Sequence, residues 1–95
     1  METEAVVTLN VGGFVYVTRR RTLLESNCFF ATVAQHNPEC TEFFIDRDAT
    51  HFRYVLNWLR GVRYLPRDPA VRAELLYEAD FYSLCEMSAA LRAAA

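Results

Sequence analysis

Ninety-five residues allow one domain with a real but modest core, and a hydrophobic content of 53% excludes a disordered chain. A formal charge of −2 excludes the strong basic field that draws nucleic acid, and no apolar run approaches the ~20 residues needed to cross a bilayer. Three widely spaced cysteines, Cys28, Cys40 and Cys85, follow a start without a secretory pattern, which reads as a reduced cytoplasmic or nuclear protein without structural disulfides.

Along the chain, Val6 to Val11 is β-rich, with Val7, Leu9 and Val11 on one face. Gly12-Gly13 interrupts it and Phe14 to Thr18 resumes the alternation, a pattern that predicts a β-hairpin. Arg19 to Arg21 read as a solvated strand end. Thr22 to Glu25 has the spacing of a capping box, so a short helical turn is expected there and a second helix over Cys28 to Gln35. His36 to Thr41, with Pro38, reads as a loop. Glu42 to Arg47 is the third expected strand, and Asp48 or Thr50 the cap of the next helix. Phe52, Val55, Leu56 and Leu59 form the core stripe of that helix, with Gly61 at its stop. Tyr54 and Trp58 fall off the stripe as a second aromatic face that needs its own cover. Asp68 caps a helix that starts at Pro69 and buries Leu75, Leu76, Ala79 and Tyr82. From Ser83 onward a last, weakly anchored helix is expected. No linker or internal repeat divides the chain, so residues 1–95 read as a single domain.

Reactive groups are sparse. His36 and Cys40 have the H-x-x-x-C spacing of two ligands on a helix, but Pro38 lies between them, and Cys28 and Cys85 are too isolated to complete a zinc site. His51 reads as a first-turn surface or packing residue. Cys28, beside Phe29 and Phe30, reads as a small core residue, since nothing nearby lowers the pKa of its thiol. Gly12-Gly13 lacks the glycine run and the lysine of a phosphate loop. No catalytic residue, metal or cofactor is expected. All ten Lys and Arg positions are arginines, which codon usage explains, with planar ion pairs at interfaces as a minor addition.

Six blocks stand in order: "VTLNVGG" at 7–13, "TLL" at 22–24, "FFIDRD" at 43–48, "HFRYVLNWLRG" at 51–61, "LPRD" at 65–68 and "LLYEADFYSL" at 75–84. They resemble the potassium-channel tetramerisation domain, a branch of the BTB/POZ fold, over residues 6–88, and within it look closest to KCTD proteins. The resemblance implies an α+β fold, a small three-stranded sheet covered by about five helices, and a non-enzymatic domain whose function is homo-association. It also implies a pentamer in preference to a tetramer, and cullin-3 as a partner to which substrates of a ubiquitin ligase are presented. The alternative is a channel-type or stand-alone assembly module. The chain departs from the family pattern in three places. Glu25 to Cys28 is one residue shorter than in many relatives and lacks their Pro. Tyr64, Ala70 and the single Cys85 stand where non-Shaker channel domains hold an intersubunit zinc. The loop between Gln35 and Glu42, which lies near the cullin-facing surface in BTB proteins, is short.

In a ring, each subunit presents one surface and receives a different one. Mixed charges then give register and selectivity, so Asp46, Arg47 and Arg53, with Asn10 from the first strand, are the expected interface residues. Alternatively Asp48 simply caps its helix and Arg53 pairs within its own subunit. For cullin-3 the candidates are Phe29, Phe30, Tyr82 and Leu84. One of the adjacent Phe29 and Phe30 is expected in the core and the other as an exposed anchor.

Overall fold

A computed structural model describes residues 4–93, which group into two compact units, divided in sequence between Thr50 and His51. The first unit is built on strands β1 (Val6–Val11) and β2 (Phe14–Arg19), joined through Gly12 and Gly13. Both glycines have positive φ, 58° and 102°, as a two-residue hairpin loop of this twist requires. The pairing is antiparallel, with Val6 opposite Arg19 and Val11 opposite Phe14. Helices α1 (Arg20–Leu24) and α2 (Phe29–His36) then carry the chain back to β3 (Glu42–Ile45), which runs parallel to β1. The sheet order is β2-β1-β3, so β1 is central. Its Val7, Leu9 and Val11 are buried on the inner face together with Leu23, Phe30 and Ile45. Each such side chain contributes about 1.5–3 kcal/mol of burial.

The entry to α1 differs from the capping-box expectation. Arg19, extended at φ −86° and ψ 147°, is the N-cap, so Thr22 lies inside the helix and Glu25 at its C-terminal cap. Arg20 is not a solvated strand end: it is 1% exposed and donates from Nη2 to the Cys40 carbonyl, while its Nε and Nη1 find no hydrogen-bond partner among the described residues. Arg19 and Arg21, on either side, pair with Glu4. The turn between α1 and α2 includes Asn27 at φ 52°, with Ser26 Oγ donating to the Leu23 carbonyl at 2.6 Å.

The second unit holds α3 (Phe52–Leu59), α4 (Pro69–Phe81) and α5 (Cys85–Ala93). Neither Asp48 nor Thr50 caps α3. Its N-cap is His51, and Asp48 Oδ1 accepts instead from the Thr50 N–H at 2.7 Å in the preceding turn. The buried face of α3 is Phe52, Val55, Leu56 and Trp58, with Leu59 half-buried. Gly61 at φ 93° ends the helix, and Val62 N–H reaches the Asn57 carbonyl at 2.8 Å while Gly61 N–H reaches Trp58 at 3.0 Å.

Asp68 caps α4 as expected, accepting from the Ala70 N–H at 2.8 Å with Pro69 at the first helical position. Asp68→Ala is expected to cost about 1 kcal/mol, read as a lower denaturant midpoint at unchanged slope. The expectation of a weakly anchored last helix is corrected. In α5, Met87, Ser88 and Leu91 are buried, Ser88 Oγ donates to Asp80 at 2.7 Å, and Arg92 pairs with Asp80 at 2.9 Å. Arg72 also donates to the Ala90 and Leu91 carbonyls at 3.3 and 3.2 Å, near the helix end where carbonyls lack helical partners.

Candidate interaction site

Strand alternation puts Val6, Thr8 and Asn10 of β1 on the outer face of the sheet. In register beside them lie Val15, Val17 and Arg19 of β2 and Glu42 and Phe44 of β3. A solvent-facing side of an antiparallel pair is normally polar. Here Val6 is 58% exposed, Val15 61%, Val17 51% and Phe44 67%. Asn10 lies between Val15 and Phe44 in the middle of this apolar surface. Its Oδ1 accepts from the Gly13 N–H at 2.8 Å, so the side chain also braces the hairpin loop. Sequence reasoning did not find this face. The signal was present in "FVYVT", where residues on both sides of β2 are apolar.

Asp46 and Arg47 follow β3 directly, the first exposed and the second half-buried. The Arg47 N–H bends back to the Ile45 carbonyl at 2.9 Å, and Ile45 also accepts from Gly12 at 2.9 Å. A Cβ at Gly12 would overlap the Arg47 carbonyl oxygen, so the glycine is what lets the hairpin loop and the charged turn lie together.

Arg53 belongs to the second unit. It is exposed, its guanidinium carbon lies 4.4 Å from the centre of the Tyr54 ring, and Nη2 donates to the Tyr54 hydroxyl at 2.9 Å. Tyr54 stacks on Tyr64 at 6.2 Å, and Arg63 lies over Trp58 at 4.6 Å while pairing with Glu86 at 2.5 Å. The second aromatic face of α3 is thus covered by the segment that follows the helix. His51 pairs with Glu74 at 2.7 Å, a link from the start of α3 to α4.

The cullin candidates fall into two groups. Tyr82 is 0% exposed, with its ring edge-on to Phe52 at 5.7 Å, and Leu84 is 5% exposed. Both are core residues in the single chain. Phe30 is buried at 1%, and Phe29 is half-buried. Phe29 lines a cavity of about 230 Å³ in the first unit, together with Val33, Cys40, Phe43 and Phe44. Among the described residues no three His, Cys, Asp or Glu side chains gather as a metal site, and no helix is long and apolar enough to cross a membrane.

The family model for the BTB/POZ domain matches residues 7–91. The chain is 40% identical over 89 residues to the FH protein interacting protein FIP2 of Arabidopsis thaliana, covering 84% of this chain and 30% of that one. It is 40% identical over 86 residues to the human BTB/POZ domain-containing protein KCTD17, covering 82% of this chain and 27% of that one. With KCTD5 of Bos taurus it shares 34% identity over 89 residues, 85% of this chain and 38% of the other. The chain therefore spans well under half the length of these relatives.

Proposed function

Because this chain belongs to the BTB/POZ family, in its potassium-channel tetramerisation branch and related to KCTD proteins, we propose that it is a non-enzymatic module that assembles with copies of itself into a pentamer. The observation that carries the reading is the outer face of the sheet. Val6, Val15, Val17 and Phe44 are each more than half exposed at neighbouring register positions of one face, and Asn10 between Val15 and Phe44 supplies a polar anchor for register. Asp46 and Arg47 stand at the edge of the same unit as charged selectors. The assembled ring engages cullin-3 as the adaptor of a ubiquitin ligase in the cytoplasm or nucleus, with Phe29 and its adjoining cavity as the docking point. Phe29 is chosen over Phe30, Tyr82 and Leu84 because those three are buried in the single chain.

Light scattering coupled to size exclusion tests this on the 95-residue chain, alone and with the N-terminal region of cullin-3. The expected species is five times the 11.0 kDa chain mass, co-eluting with cullin-3. A tetramer indifferent to cullin-3 favours the channel-type assembly module instead. A monomer at every concentration overturns self-association. Phe44→Ser with Val15→Ser is expected to shift the wild-type assembly to monomer with little change in melting temperature, since both side chains are exposed in the single chain.

A further inference from the structure

Arginine stands at all ten Lys and Arg positions of the chain. At some of them the structure uses the planar fork. Arg20 is buried and donates to the Cys40 carbonyl, and Arg72 spans from the Pro66 carbonyl at 2.8 Å to those of Ala90 and Leu91. Arg53 and Arg63 lie over the rings of Tyr54 and Trp58. At others the fork is not needed. Arg19 and Arg21 pair with Glu4, and Arg92 with Asp80, all as exposed ions for which an ammonium gives comparable attraction. Arg67 is exposed just before α4. Exposed positions are where lysine amines normally stand on a folded domain, and here they carry guanidinium groups.

The two groups differ as nucleophiles. A lysine amine that has lost its proton has a free lone pair, whereas the guanidinium of arginine is not deprotonated in proteins and accepts nothing. In ubiquitin transfer a lysine nitrogen attacks the thioester carbonyl that joins the ubiquitin C-terminus to a cysteine of the conjugating enzyme. A C–N amide bond forms, the C–S bond breaks, and the departing thiolate takes up the proton that the nitrogen sheds. We propose that this module is spared from the ubiquitin transfer it directs because it offers no side-chain amine, so that transfer passes to lysines outside it. This rests on the cullin-3 adaptor reading and adds regulation to it, since the ligase does not consume its own adaptor. Codon usage as the origin of the composition leaves this chemistry unchanged. Every copy in a ring lacks lysine equally, so assembly multiplies docking surfaces without adding acceptors.

A charge-conserving variant tests the proposal. Arg21→Lys, Arg67→Lys and Arg92→Lys together place amines at three exposed positions, one in the first unit and two in the second. The variant is expected to keep the circular dichroism spectrum, the assembly state and the cullin-3 co-elution of the wild type. Both chains are incubated with a reconstituted cullin-3 ligase, charged conjugating enzyme and ubiquitin whose own lysines are replaced, so that each attachment is single. Mass spectrometry maps the conjugates and counts the α-amino group, which both chains share, apart from side chains. The variant is expected to gain at least ten times more side-chain conjugate than the wild type. A wild type modified at a comparable rate through Ser, Thr or Cys esters overturns the proposal. So does a variant that stays unmodified, because the geometry of the complex and not the missing amine would then spare the chain. In both cases co-elution with cullin-3 leaves the adaptor reading standing. If neither chain binds cullin-3, the adaptor reading falls and the proposal falls with it.

Discussion

Gly12→Ala is expected to destabilise the protein by about 2–4 kcal/mol, although it adds a single methyl group at an exposed position. Two costs act together. At φ 58° the residue sits in the left-handed region, where an L side chain meets its own backbone at about 1–2 kcal/mol. The new Cβ also overlaps the Arg47 carbonyl oxygen, which belongs to the backbone and cannot swing aside as a side chain would. The chain must therefore separate the hairpin loop from the turn after β3, straining the hydrogen bond from Gly12 N–H to Ile45. Chemical denaturation measures the loss. Gly13→Ala serves as the comparison, since nothing lies within 4 Å of its Cβ position and only the conformational cost at φ 102° remains. A loss at Gly12 no larger than the roughly 1–2 kcal/mol of the left-handed conformation alone would show that the contact with Arg47 contributes nothing. Displacing that turn also moves Asp46, so assembly is expected to weaken along with stability.

Phe52→Ala is expected to cost more, about 3–5 kcal/mol, because it empties a site that is 1% exposed and removes the edge-on contact with Tyr82. For a domain of this size that is a large share of the ~5–15 kcal/mol total, and the melting temperature should fall by roughly 15–30 °C. Tyr77→Ala, at a residue 74% exposed on α4, should change stability by no more than about 0.5 kcal/mol. A Phe52→Ala protein that melts like the wild type would mean that the second unit does not depend on this aromatic pair.

Local signals in the sequence located most elements. Gly12-Gly13 placed the hairpin, Asp68-Pro69 the start of α4 and Gly61 the end of α3, because each demands a backbone geometry that few residues supply. The caps of the first and third helices, Arg19 and His51, are not the residues that composition favours. Thr22 to Glu25 fits a capping box in composition, but which residue is the N-cap depends on where extended geometry ends, and Arg19 holds that position. Trp58 was placed off the buried stripe because a heptad template is narrower than the face that α3 buries. Arg20 looked like one of three equivalent arginines; only tertiary structure brings the Cys40 carbonyl to it. Of the candidate site, the charged residues were legible as a motif. The exposed sheet face was not, because alternation shows that β2 has two apolar sides and not which of them the core takes.

The central place of β1 has a consequence during synthesis. Its antiparallel partner follows after two residues, so the hairpin can close as soon as Arg19 has left the ribosome. Its parallel partner arrives only when Ile45 emerges, after both α1 and α2. At ordinary translation speeds of roughly 5–20 residues per second that interval lasts about one to five seconds. Throughout it the nascent chain carries an open strand edge beside a sheet face rich in valine, the combination that invites pairing with a neighbouring chain. Translation speed across the α1–α2 segment therefore sets how long each new copy is exposed to mispairing with chains on adjacent ribosomes.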